Sequence, residues 1–248
     1  MKEPGYKPRF YRFWSKDTDL VSFNVVVKET DLYIRARRNL RKKALDVVLK
    51  QRALLEGYIT RHPDFVTTLV PFPVGTDAPL IVREMAEASA KVGVGPMAAV
   101  AGAIAEVVGK DLLSFSSEVI VENGGDVFLR SKKQRRIGIY AGNSPLSGKL
   151  ALEIKPETTP LGVCTSSGTV GHSLSFGKAD AAIVLSPSTA LADAAATAVG
   201  NLVQTAEDMP RAIEFVREVK GITGVVIIVG DKMAVWGEIS IISMESQS

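Results

Sequence analysis

Between residues 35 and 39 the hydrophobic period of the chain changes, and that change restricts the possible folds more than any other feature. Residues 9–35 alternate in strand fashion around a turn at Lys28-Glu29-Thr30-Asp31, with Val25, Val27, Leu32 and Ile34 as β-favouring positions. Over residues 39–59 the apolar positions Leu45, Val48, Leu49, Leu55 and Ile59 fall within one arc of a helical wheel, opposite Lys43 and Lys50. Strands therefore precede an amphipathic helix that needs a sheet to cover it. Pro63, Pro71, Pro73 and Gly75 make residues 63–78 irregular.

Further along, helices are expected over 79–90 and from Gly95-Pro96, where proline suits a first helical turn, through 97–108. In the latter, Ala98, Ala99, Ala101, Gly102, Ala103 and Ala105 allow a backbone or ligand to approach closely. Strands are expected at 118–121, 126–130 and 137–140, at a segment ending at Val163-Cys164, and at 181–185. Ser186-Pro187 reads as an N-cap and first-turn proline for a helix ending near Asn201. A helix at 209–219 and strands at 224–229, 234–237 and 238–242 complete the chain. Elements come in blocks rather than in strict βαβ alternation, which predicts an α+β fold with mixed or antiparallel sheets flanked by helices. The 248 residues are read as a single domain, with 1–75 as N-terminal strands plus a long helix and 76–248 as the core.

Composition excludes several function classes. One cysteine among 248 residues rules out an intrachain disulfide scaffold and four-cysteine zinc sites. The net charge of +3 is a weak field for a nucleic-acid binder. Much of the excess sits in Arg35, Arg37, Arg38, Arg41, Lys42 and Lys43, read as a solvated or substrate-steering face, with a phosphate-binding surface as the alternative. Residues 1–9 lack the apolar core of a signal peptide. The apolar stretch 97–105, followed by Glu106, is far short of the ~18 residues of a membrane span. A cytoplasmic protein without membrane or nucleic-acid partners is expected.

Three segments could carry chemistry. Glu122-Asn123-Gly124-Gly125-Asp126 combines glycines that permit positive φ with hydrogen-bonding flanks, a pattern that also suits an ordinary hairpin. Cys164-Thr165-Ser166-Ser167-Gly168-Thr169-Val170-Gly171-His172-Ser173 can present backbone N–H groups to an anion beside a titratable imidazole, and equally suits a serine-rich surface loop. His62, before Pro63, reads as structural or exposed. Asp193 and Thr197, four apart in an alanine-rich helix, project their oxygens from one face. Mg²⁺ takes oxygen ligands and commonly only one or two from protein.

In this order the segments resemble the ApbE superfamily, whose characterised enzymes are Mg²⁺-dependent FAD:protein FMN transferases. The matching stretches are Asn123-Gly124-Gly125-Asp126, then Thr165-Ser166-Ser167-Gly168 with His172, then Ala192-Asp193-Ala194-Ala195-Ala196-Thr197, collinear over roughly residues 90–240. The chain looks similar to a short cytosolic ApbE-like family with the signatures Gly-Pro-Met-Ala-Ala-Val-Ala-Gly and Thr-Ser-Ser-Gly-Thr-x-Gly-His-Ser. The resemblance implies an ApbE-like fold, Asp193 and Thr197 as Mg²⁺ ligands, and residues 123–126 and 165–172 as walls of a pocket for FAD or FMN. It also implies His172 as general base, an acceptor protein whose Ser or Thr hydroxyl attacks the FMN phosphorus, and AMP as leaving group. Two departures stand out: Gly95 to Val100 lacks the lysine-glycine pair of the transferases, and Ser173-Leu174-Ser175-Phe176-Gly177 replaces their Asp-Pro-x-Thr-Gly. Two alternatives remain at this point. One is sulfide or persulfide handling at Cys164, since relatives of the short family are associated with sulfide assimilation; the bland reading of that thiol is a buried core residue. The other is a non-catalytic flavin-binding module, for which a homo-oligomer is open.

Overall fold

A computed structural model describes residues 19–168 and 177–244. The chain opens with the antiparallel pair β1 (Val21–Val27) and β2 (Thr30–Ala36), which turns at Lys28 with φ of 51°. Helix α1 (Arg41–Arg61) follows, then the short α2 (Asp64–Thr67), α3 (Leu80–Lys91), a 3₁₀ turn (Pro96–Ala99) and α4 (Val100–Leu112). A run of strands comes next: β3 (Val119–Asn123), β4 (Asp126–Arg130), β5 (Arg135–Gly138), β6 (Leu150–Ile154), β7 (Leu161–Ser166) and β8 (Ala181–Ser186). Helices α5 (Thr189–Leu202) and α6 (Met209–Arg217) and strands β9 (Gly224–Val229), β10 (Lys232–Gly237) and β11 (Ser240–Ser243) close it.

The strands build an antiparallel eight-stranded sheet, ordered β1-β2-β3-β4-β7-β8-β9-β10, and a three-stranded sheet, β11-β6-β5. Side-chain alternation divides two cores. Val119, Val121, Phe128, Cys164, Val184, Val225 and Ile227 point into the core beneath the helices. Ile120, Leu129, Val163, Ile183, Val226 and Ile228 point into the core shared with the small sheet. Because both faces of the central strands are covered, β8 is buried along its whole length and reads as a continuous apolar run. The fold is α+β in three layers: helices, large sheet, small sheet.

Several local expectations shift. In α1 the buried positions are Ala44, Val48, Leu55 and Tyr58, and Leu49 is solvent-exposed, so the packed arc is rotated from the one drawn from the apolar residues alone. Ser186 stays in β8, paired with Gly162, and the N-cap passes to Ser188, whose hydroxyl accepts from the Leu191 N–H. Residues 63–78 are interrupted by α2, whose Phe65 is wholly buried. Strand β6, not among the strands expected individually, is the centre of the small sheet. Part of the basic cluster is engaged locally: Arg37 pairs with Glu118, Arg38 donates to the Phe115 carbonyl, and Lys43 lies 4.1 Å from the Phe115 ring centroid. His62 stacks on Tyr58 with centroids 4.3 Å apart. Among the described residues no single helix is long and apolar enough to cross a membrane.

Candidate functional site

Gly124 and Gly125 form the two-residue turn between β3 and β4, at φ of 72° and 111°. Positive φ at both central positions is the geometry that matches the twist of a hairpin, so the glycines are explained by the turn itself. The flanking residues do more. Asn123 Nδ2 donates to the Ala101 carbonyl at 3.0 Å, tying the hairpin to the first turn of α4. Asp126 is buried, and its Oδ1 accepts from the Thr165 N–H at 3.2 Å, tying β4 to β7.

Asp193 reaches the same first turn of α4 from α5, its Oδ2 accepting from the Gly102 N–H at 2.8 Å. The reverse contact exists at the other end of the helix pair. Glu106 of α4 accepts from the Thr189 and Ala190 N–H groups of α5 at 2.7 and 3.2 Å, and its second oxygen pairs with Lys110 at 2.7 Å. Each helix thus caps the other's N-terminal amides with a carboxylate, where the helix dipole favours negative charge. The crossing is close because position 102 has no side chain: a Cβ there would meet the Thr189 carbonyl and lie 2.7 Å from Asp193 Cβ. Gly102→Ala should therefore destabilise the protein by about 1–3 kcal/mol and displace Asp193. Denaturant unfolding checks this; a wild-type midpoint would mean the helices can part without penalty.

The electrostatics are unusual. Burial and the neighbouring Asp126 carboxylate push Asp193 well above the ordinary carboxylate range, against the pull of the Gly102 and Ala101 amides. Two acids thus share one poorly solvated place. Thr197 lies one turn further along α5, half-buried like Asp193. The donor set of Asp126, Asp193 and Thr197 is all oxygen, which suits a hard cation such as Mg²⁺. Among the described residues no three His, Cys, Asp or Glu side chains form a complete metal cage. Mg²⁺ does not need one, because water and phosphate supply its remaining ligands.

Thr165 and Ser166 lie in β7 rather than in a loop, paired with Ile183 and Ala182. Beyond them the Gly168 N–H donates to the Ala179 carbonyl at 3.0 Å, and Gly168 abuts Gly177. Gly177 in turn packs on the Gly200 carbonyl, so Gly168 and Gly177 both lie by the C-terminal half of α5. His172 lies outside the described residues.

Cys164 does not stand at a loop mouth. It is fully buried in β7, and its Sγ donates to the Thr189 carbonyl at 3.4 Å. Burial, with the fields of Asp126 and Asp193, pushes the thiol up, so a thiolate is disfavoured there. Glu106, which in the sequence only ends the apolar stretch 97–105, is a further residue that holds α4 and α5 together. A lone acid inside that run was the available signal. Two clefts lie elsewhere, of about 370 Å³ beside Tyr58, His62 and Phe72 and about 830 Å³ beside Glu153, Lys155 and Glu238. Neither is lined by Asp126 or Asp193.

Comparison with known proteins places these features in context. The model of the family described as AbpE bacteria matches residues 12–235. The UPF0280 protein of Methanocella arvoryzae is 45% identical over 214 residues, covering 86% of this chain and 87% of the relative. The UPF0280 protein of Methanocaldococcus jannaschii is 45% identical over 221 residues, covering 87% and 90%. Among solved structures, the flavin transferase ApbE from Vibrio cholerae matches with a TM-score of 0.55 at 14% identity, covering 92% of this chain and 97% of that one. The apo form of the Pseudomonas stutzeri flavinyl transferase ApbE gives 0.55 at 14%, covering 91% and 95%. At such identities the two structures speak to the fold alone.

Proposed function

Because the chain belongs to the AbpE bacteria family, with the UPF0280 proteins as relatives in the ApbE-like superfamily, we propose that it binds a flavin nucleotide, FAD or FMN, with Mg²⁺ at this site. We further propose that it transfers FMN from FAD to a Ser or Thr hydroxyl of an acceptor protein. The observation that carries the reading is the meeting of Asp126 and Asp193 beside Thr197, two crowded carboxylates whose repulsion a divalent cation would relieve.

Asp193 and Thr197 would hold Mg²⁺. Bound there, the ion would neutralise pyrophosphate charge as it builds during displacement. The protein's own part is positional. Gly102 N–H and Asn123 fix the orientation of α4, α5 and the β3–β4 hairpin around the carboxylates. In the transfer, the acceptor hydroxyl oxygen forms a bond to the FMN phosphorus of FAD, the bond from that phosphorus to the bridging oxygen breaks, and AMP departs. His172 is assigned the hydroxyl proton on its motif alone. The buried, protonated Cys164 offers no support to persulfide chemistry.

Incubation of the purified protein with FAD, Mg²⁺ and a lysate from its own source should release AMP and leave covalent flavin on an acceptor, seen as in-gel fluorescence. Flavin retained without AMP would reduce the protein to a binding module. Absence of any Mg²⁺-dependent flavin binding would remove the reading altogether.

A further inference from the structure

Strand β7 lies against α5, and the two keep step. Leu161 and Val163 belong to the core beneath the small sheet, whereas Cys164 belongs to the core beneath the helices. Alternation therefore turns Gly162, Cys164 and Ser166 toward α5. At the first rung a Cβ on Gly162 would lie 2.5 Å from Thr189 Cα; at the second, Cys164 donates to the Thr189 carbonyl and feels the field of Asp193. Two strand residues advance about 6.6 Å and four helix residues about 6 Å. Ser166 is thus the rung beyond Cys164, as Thr197 is the turn beyond Asp193. The far end agrees, since the next glycine contacts lead from Gly168 through Gly177 to Gly200.

At this rung Ser166 is 5% exposed, and its Oγ has no hydrogen-bond partner among the described residues. Its cross-strand neighbour Ala182 supplies no side-chain acceptor. A buried hydroxyl left unpaired loses its hydration for no return, and an alanine would serve the packing better. Asp126, two residues before Phe128 of the helix-side core, faces the same layer, so the local field is negative and suits a cation rather than a bare anion.

Building on the proposed metal site, we infer that Ser166 Oγ is a further oxygen ligand, with Asp193 and Thr197, of the divalent cation. The hydroxyl would offer the ion a lone pair, leaving its proton for a phosphate oxygen of the nucleotide.

Three measurements on the full chain test this. In metal-free protein, Ser166→Ala should melt at or above the wild-type temperature, because only an unpaired group is lost. Mn²⁺ binding, followed by the electron paramagnetic resonance of the free ion with and without FAD, should weaken about tenfold or more in the same variant. Ser166→Cys should raise affinity for Cd²⁺ relative to Mn²⁺ by at least about tenfold over wild type, since thiolate selects the softer ion. Wild-type Mn²⁺ affinity in Ser166→Ala, with binding lost in Asp193→Asn, overturns the role of Ser166 and leaves the metal site standing. A marked fall in the metal-free melting temperature of Ser166→Ala overturns it too, by showing that the hydroxyl has a structural partner. No Mn²⁺ binding by the wild type, with or without FAD, overturns both the inference and the metal site beneath it.

Discussion

Asp193→Asn should separate binding from stability. Asparagine keeps an oxygen that can accept from the Gly102 N–H, so the cap on α4 survives. It replaces a carboxyl group whose ionisation burial and Asp126 disfavour, so the metal-free variant should melt at or a few degrees above the wild-type temperature. The same change removes the anionic oxygen that a hard cation needs, and Mg²⁺-dependent flavin affinity should fall by at least about 100-fold. Calorimetric titration of FAD at fixed Mg²⁺, beside thermal melts, gives both readouts. If affinity survives, Asp193 is a helix cap and nothing more, and the proposed metal site is lost. Asp193→Ala is the informative contrast, because it removes cap and charge together and should cost stability as well.

Glu118→Ala should be the most damaging substitution to the fold. Glu118 is fully buried where β3 begins, and its Oε2 accepts from Ser131 Oγ at 2.8 Å and from the Lys132 N–H and Arg135 Nη2 at 3.0 Å. Arg135, itself buried, also reaches Asp19 just ahead of β1, with which Lys133 pairs at 3.0 Å. The network thus ties the N-terminal strand, the large sheet and the start of the small sheet. Removing one member of a buried pair strands the other's charge, at a cost of about 3–5 kcal/mol. For a chain of this size that lowers the melting temperature by roughly 10 °C.

The network also sets an acid limit. Although burial alone would raise it, hydrogen bonds from Lys132 and Ser131 and the Arg135 guanidinium hold Glu118 at about 2, below its ordinary 4.5. A depressed carboxylate stabilises the fold fully above its unfolded value and loses that contribution as pH falls. Between pH 4.5 and 2 the wild type should lose roughly 3 kcal/mol from this group, and Glu118→Gln should flatten that limb. An unchanged acid limb in Glu118→Gln would assign it to other carboxylates, such as Asp19, which Arg135 and Lys133 hold low.

What could be read in advance follows from how local the cause is. The β3–β4 hairpin was legible because two adjacent glycines between β-favouring runs leave few other conformations, and β4 and β9 span the residues expected of them, 126–130 and 224–229. The helix over 189–202 was legible in its alanines, but its start was not. Ser186 was claimed by β8 through pairing with Gly162, a partner 24 residues away in sequence, and the cap moved to Ser188. Thr165 and Ser166 suggested a loop by composition, yet pairing with β8 carries them into the sheet. The outward turn of Leu49 depends on where α1 meets its neighbours, which no helical wheel contains.

The sequence by itself determined the α+β class, most of the helix and strand order, and the candidate residues Asn123, Asp126, Asp193 and Thr197, because periodicity, spacing and motif resemblance are local properties of the chain. Only the tertiary structure decided that Asp126 and Asp193 crowd one place, that Glu106 and Asp193 cap each other's helices, and that Cys164 is sealed beneath α5. Those relations join residues on separate elements. Coulomb energy and desolvation depend on distance and burial in space, and neither is written in the spacing along a chain.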